Sequence, residues 1–218
     1  MDRLFPTRNW VASFLAVCVV ATSTGCSGLL VTALYLVKGY DIPADYKGLE
    51  KKRVVVFCSP PASLEYRYAG ADRELAKRVG ILLQQNVKGI DVVNPAEVEN
   101  WTDERDMEDV TDLAKAVKAD MVVHVELEDF NLQKGSTLYQ GQANVVLKVL
   151  DMQDGGREAY EKNLNQILYP INSGVPAQEK PIQVFRRQYI SVLAEHIAKH
   201  FYKHDPHMDF ATDTLAHY

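Results

Sequence analysis

Asp112-Leu113-Ala114-Lys115-Ala116-Val117-Lys118-Ala119-Asp120-Met121-Val122-Val123-His124-Val125-Glu126-Leu127-Glu128 is the stretch that decides the fold. Its first half keeps a helical period: with Val110, the residues Leu113, Ala114 and Val117 fall on one side of a helix that Asp109 starts. Ala119-Asp120 ends that period. The second half then alternates, with Met121, Val123, Val125 and Leu127 on one face and Val122, His124, Glu126 and Glu128 on the other, which is the pattern of a half-buried strand. A helix followed directly by a strand points to an α/β layer rather than a bundle or an all-β sandwich.

Working outward, Leu138 to Met152 places Ala143, Val145, Leu147 and Val149 on one face with Asn144 and Lys148 opposite. Asp154-Gly155-Gly156 supplies a tight turn, and Glu158 to Leu168 returns as an antiparallel strand with Tyr160, Leu164 and Leu168 in phase. Upstream, Arg53 to Cys58 is a continuous apolar run stopped by Ser59-Pro60-Pro61, the pattern of a strand buried on both faces. Asp72 is the expected cap of a helix to about Val87, with Leu75, Val79, Leu82 and Leu83 as its core stripe, ended by Gly89. A short strand follows at Ile90 to Asn94, then a helix over Ala96 to Trp101 and a turn over Thr102 to Glu108. Ile171 to Pro181 reads as a loop. A terminal helix from Ile182 to Tyr202, with Phe185, Tyr189, Val192 and Leu193 on one side, covers a face of the sheet. The expected fold is therefore α/β (α+β), a mixed sheet of about four or five strands with helices packed on it.

The N-terminus has a different character. Arg3 and Arg8 form a short basic region, Trp10 to Ala21 is apolar, and Thr22-Ser23-Thr24-Gly25 leads into Cys26. This order resembles a bacterial lipoprotein signal, although Ser23 stands where that signal usually has Leu. The resemblance implies lipidation of Cys26 and cleavage after Gly25. Two other readings stay open: ordinary cleavage, and an uncleaved membrane helix over residues 10–37, because no charge occurs between Arg8 and Lys38 and a span needs about 20 apolar residues. The small and polar residues from Thr22 to Gly28 interrupt such a span. All three place the rest of the chain outside the cytoplasm. The expected organisation is a signal over 1–25, a lipidated Cys26 and tether over 26–52, a periplasmic α/β domain over 53–202, and a flexible tail over 203–218.

The formal charge is −5, and −6 without residues 1–25, so the surface has no basic stripe with which to displace counterions from nucleic acid. Of three cysteines, Cys18 lies in the signal and Cys26 is the lipid acceptor, which leaves Cys58 as a lone thiol without a disulfide partner, read as a small buried hydrophobe. Asn100-Trp101-Thr102 fits a glycosylation sequon by accident of sequence.

The residues that could carry chemistry are few. His196 and His200 are four apart, the spacing that brings two imidazoles to one metal, and His204, Asp205 and His207 follow. The simpler reading makes them packed or edge positions of an amphipathic helix, where cations near the C-terminus suit the dipole. Glu126 with Glu128, and Glu104 with Asp106, are carboxylate pairs without a convergent partner, and His124 stands alone on its strand as a structural residue. No Gly-x-Ser-x-Gly elbow or glycine-rich phosphate loop occurs. The expectation is no enzyme, no cofactor and no resident metal.

The run from Asp112 through Val125, with Tyr139-Gln140-Gly141, the strand Ala143 to Leu150 and the turn Asp154-Gly155-Gly156-Arg157-Glu158, resembles a group of envelope domains. These are the periplasmic domains of the curli-secretion lipoprotein CsgG, the penicillin-binding-protein activator LpoB and the amino-terminal domain of TolB. The resemblance implies a noncatalytic domain that docks on another cell-envelope protein. The long amphipathic hairpins of a CsgG-like pore are missing, so secretion through this chain is not expected. The auxiliary lipoproteins of lipid-transport ABC systems are similar in layout and stand as an alternative, as does a periplasmic metal-binding protein using the terminal histidines. Ser27, in place of the Asp that marks inner-membrane retention, points to the outer membrane.

Overall fold

A computed structural model describes residues 41–59, 69–104 and 109–206. The signal over 1–25, Cys26, Asp106, His207 and the rest of the expected tail lie outside the described residues.

Strand β1 (Arg53–Ser59) is buried on both sides, as its run of valines requires: Val54 and Val55 are fully enclosed. It lies parallel between β2 (Asp91–Val92) and β3 (Met121–Lys134). Beyond β3 come β4 (Leu138–Asp151) and β5 (Arg157–Tyr169), both antiparallel, which gives the order β2-β1-β3-β4-β5. A sixth strand, β6 (Val175–Pro176), lies in the expected loop and pairs with the start of β4. The sheet is mixed and the domain is α+β, as the sequence pattern requires.

The helices divide between the two faces. On one face α1 (Ala71–Asn86) and α4 (Ile182–Ala198) meet the stripe Val54, Val56, Met121, Val123, Val125, Ala143, Val145, Leu147 and Val149. Leu75, Val79, Leu83, Phe185, Tyr189 and Leu193 are all fully buried there. On the other face α2 (Pro95–Glu104) and α3 (Val110–Ala116) cover a smaller core of Val55, Val93, Leu113, Ala114 and Val122. Val122, expected on an open face, is therefore enclosed, and only further along does that face of β3 emerge at Glu126.

The helix ends differ in detail from the sequence expectation. The residue preceding α1 is Gly70, in a left-handed conformation, rather than Asp72, whose carboxylate sits in the first turn where the dipole favours it. Asp109 does cap α3, accepting from the Thr111 N–H. α2 runs through Thr102 to Glu104, where a turn was expected. α4 ends at Ala198 and tightens into a 3₁₀ turn over Lys199–Phe201, so the terminal helix stops short of Tyr202.

Bulges explain the largest departures. β3 was expected to end at Glu128 because its alternation fails there. The pairing with β4 shifts between Leu127 and Asp129, and the extra residue returns Phe130 and Leu132 to the face that Leu127 occupied. β5 shifts between Asn163 and Gln166. Tyr160 and Leu164 pack on the main core, but beyond the shift Ile167 and Tyr169 take that face and Leu168 does not.

Gly141 is required by a close approach. A Cβ built there would lie 2.3 Å from the ring of Tyr189. That ring packs with Phe130 and Tyr169, and its hydroxyl donates to the Ile167 carbonyl at 2.9 Å.

Residues 41–52, expected to lie outside the domain, pack within it. Leu49 is 1 % exposed in the main core. Ile42 exchanges backbone hydrogen bonds with His204, and the N–H groups of Asp45 and Tyr46 donate to the His200 carbonyl. Apolar burial at Leu49 and a short antiparallel bridge thus make residues 41–52 part of the domain, and they fix His204, the second residue of the expected tail, beside Ile42.

Candidate functional site

Residues 41–46 and the end of α4 build the first polar site. The 3₁₀ turn at Lys199–Phe201 carries His200, whose carbonyl accepts from the N–H groups of Asp45 and Tyr46, and Lys162 reaches Asp45 from β5. Asp45 Oδ2 lies 2.5 Å from Lys162 Nζ and 2.7 Å from His200 Nδ1. Burial opposes charge on Asp45, but the hydrogen bonds from Lys162 and His200 outweigh it and hold the carboxyl below its ordinary range. Burial also lowers the His200 imidazole, with Asp45 pulling in the opposite direction. The Tyr160 hydroxyl, enclosed nearby, is pushed up to about 12 by burial and by the Asp45 charge. Beside this group lies an open cleft of about 240 Å³, lined by Lys162, Asn163, Asn165, His196, Lys199 and His200 together with Leu164 and Ile167.

A second polar chain stands at the C-terminal end of β1. Parallel pairing sets Phe57 opposite His124 and Ser59 opposite Glu126. Ser59 Oγ and His124 Nε2 are 2.6 Å apart, His124 Nδ1 is 3.5 Å from Glu126 Oε1, and Lys148 Nζ is 2.9 Å from the same oxygen. Burial lowers the His124 imidazole below its ordinary value, and Glu126 only partly restores it. A serine, a neutral imidazole and a carboxylate in series have the contacts of an acyl-transfer relay. Pro60 and Pro61 follow Ser59, and neither has the backbone N–H that a nucleophile-elbow oxyanion hole takes from the residue after its serine. Lys148 also draws on the carboxylate that would orient the imidazole.

His124 is thus no lone residue, contrary to the sequence reading. The signal was present: aligning the apolar runs of β1 and β3 in parallel sets Ser59 diagonal to His124. Asp45 was missed because its segment has no period.

The other expected site residues separate. His196 and His200 line the same cleft, as their spacing requires. His200 Nδ1 is engaged by Asp45, and His196 Nδ1 lies 3.3 Å from Lys199 Nζ. His204 Nδ1 lies 3.2 Å from the Tyr202 carbonyl oxygen. Among the described residues no group of three or more His, Cys, Asp or Glu side chains is placed to hold a metal. Glu126 binds Lys148, while Glu128 lies exposed beside the bulge. Cys58 is 3 % exposed, and burial, with the Asp72 charge, raises its thiol well above the ordinary value. Among the described residues no helix is long and apolar enough to cross a membrane.

No protein-family model matches the sequence, and no curated protein matches it. Among solved structures the chain is similar to the PelC dodecamer from Paraburkholderia phytofirmans, with 11% identity over 72% of this chain and 92% of that one at a TM-score of 0.44. It is also similar to the lipoprotein GNA1162 from Neisseria meningitidis, with 10% identity over 66% and 96% of the two chains at 0.40. A third is protein XCC0632 from Xanthomonas campestris, described as DUF330, with 11% identity over 72% and 88% at 0.42. Solved bacterial lipoproteins are therefore among the structures it resembles, at a distance that transfers no residue roles.

Proposed function

We propose that this chain is a membrane-anchored envelope lipoprotein whose domain is a noncatalytic binding or assembly module for another cell-envelope protein complex. The observation that carries the reading is the sequence order at the N-terminus: basic residues, an apolar run, and Ser23-Thr24-Gly25-Cys26. Acyl chains on Cys26 hold the domain at a membrane, each buried methylene contributing about 0.8 kcal/mol. The packing of residues 41–52 adds a dimension. From Cys26 to Asp41 the chain reaches at most about 50 Å, against about 90 Å had it been free to Lys52. A partner must then meet the domain close to the membrane surface. Ser27 favours the outer membrane, with the domain in the periplasm, and the domain is read as a relative of the CsgG, LpoB and TolB group.

An auxiliary lipoprotein of a lipid-transport ABC system is the second reading, supported by the same anchor and layout; the metal-binding alternative has no converging third donor among the described residues. Radiolabelled palmitate fed to cells producing the chain should enter it and disappear in Cys26→Ala. Membrane insertion without label would favour the uncleaved helix instead. Crosslinking in those cells, with identification of the attached protein, separates an envelope-complex partner from a transporter.

A further inference from the structure

We propose that the turn over residues 47–52, with Lys88 beside it, is a docking surface for the anionic phospholipid headgroups of the membrane that carries the anchor. The proposal rests on the anchoring reading and adds a second membrane contact to it. Lys47, Lys51 and Lys88 are exposed, and Lys52 is half-buried. Backbone bonds gather them: the Glu50 N–H donates to the Lys47 carbonyl at 3.4 Å, the Lys52 N–H to the Leu49 carbonyl at 3.3 Å, and the Lys51 N–H to the Lys88 carbonyl at 3.2 Å. Leu49, buried in the main core, holds the turn from inside. The four ammonium groups are thus borne by the folded domain.

Their charge is not used within the domain. Among the described residues none of the four meets a carboxylate in an ion pair, and Lys52 Nζ has only the Gln153 carboxamide oxygen, at 3.4 Å. Glu50 subtracts one charge, so four positive stand against one negative here, in a chain that is negative as a whole. Nearby carboxylates are engaged elsewhere: Arg53 pairs with Asp91, and Asp120 and Asp151 accept from the backbone N–H groups of Arg53 and Gln153. An ammonium is a hydrated point charge on a flexible stem, which suits interchangeable phosphates spread over a surface. Position favours the same occupant. Residues 42–46 bond to the end of α4 immediately before this turn, so the chain from Cys26 enters the domain beside the lysines. Each lysine close to an anionic membrane biases the equilibrium about fivefold. Lys134 provides the contrast: β1 and β3 start side by side at Val54 and Met121, and Lys134 ends the 14-residue β3, roughly 40 Å away along the strand.

The full chain, with its own N-terminal modification, is placed in nanodiscs of phosphatidylcholine with and without phosphatidylglycerol. Brief labelling with an amine-reactive ester is then read lysine by lysine by mass spectrometry. Phosphatidylglycerol should slow the labelling of Lys47, Lys51 and Lys88 about fivefold and leave Lys134 unchanged. The effect should vanish in about 1 M sodium chloride, where a charge is screened within about 3 Å. When Lys47→Gln, Lys51→Gln and Lys88→Gln are combined, Lys52 should lose its protection, with a thermal melt to show that the domain is folded. Equal labelling with and without phosphatidylglycerol, equal protection of Lys134, or protection of Lys52 that survives the three substitutions overturns the proposal. A chain that enters the nanodiscs without such protection leaves the anchoring reading standing and removes this one; a chain that does not enter them overturns both.

Discussion

Asp45→Ala should release residues 41–46 from the end of α4. The carboxylate accepts two charge-assisted hydrogen bonds, at 2.5 Å from Lys162 and 2.7 Å from His200. Such bonds contribute about 1.5–3 kcal/mol each when well enclosed. Here the Asp45 and Lys162 side chains are 35 % and 41 % exposed, so solvent screening reduces the pair to about 1.5 kcal/mol in total. The variant also leaves Lys162 Nζ and His200 Nδ1 facing each other at 3.5 Å without their shared acceptor. The loss should be local. The N–H groups of residues 45 and 46 bond to the His200 carbonyl, and they should exchange with deuterium roughly tenfold faster, the factor that about 1.4 kcal/mol corresponds to. Amides of β3 and β4 should slow or quicken only with global stability. Unchanged exchange at residues 45 and 46 would refute the idea that Asp45 fastens this segment.

Acid should loosen the same place. The folded Asp45 carboxyl titrates below its ordinary value of 3.8 and the His200 imidazole below 6.5, so in both windows the unfolded chain binds more protons. Stability is complete above the ordinary histidine value, falls as pH drops through the window that His200 shares with the likewise buried His124, and falls again through the Asp45 window; His200→Gln should shrink the first step in a pH series of denaturant midpoints and leave the part that His124 contributes. Gly141→Ala forces a methyl group into the Tyr189 ring and should cost about 3 kcal/mol, at the upper end for overpacking, read as a lowered midpoint at unchanged slope. Cys58 should resist thiol reagents in the native chain and react fully once it is denatured, since its thiol is buried and held well above its ordinary value. A serine-directed fluorophosphonate should leave Ser59 unlabelled, because Lys148 draws on the carboxylate that would orient His124 and Pro60 and Pro61 offer no backbone N–H to an oxyanion; labelling lost in Ser59→Ala would reopen the question of catalysis.

The parts of the fold legible in the sequence are those governed by an uninterrupted period. The valines of β1, the alternation of β4 and the glycines of the Asp154-Gly155-Gly156 turn each specify local structure by themselves, and all three form where expected. Reading failed where one residue changes phase. Beyond Leu127 and beyond Asn163 a bulge exchanges the faces, so Phe130 and Ile167, core residues, look out of register to a period-two pattern. The polar sites were legible only in pieces. His196 and His200 were placed together correctly because helical spacing does that without tertiary information. Asp45 and His200 are 155 residues apart, and Ser59 and His124 65 apart; their meeting depends on strand order and on how the chain ends fold back, which no local pattern carries.

Anchoring through Cys26 is the center of the account, and the mass of the mature N-terminal peptide tests it most directly. Peptides from the membrane-extracted chain should begin at Cys26, with a mass increased by a diacylglyceryl group on sulfur and an acyl group on the new amine. A peptide that retains residues before Cys26 with the thiol unmodified would contradict it.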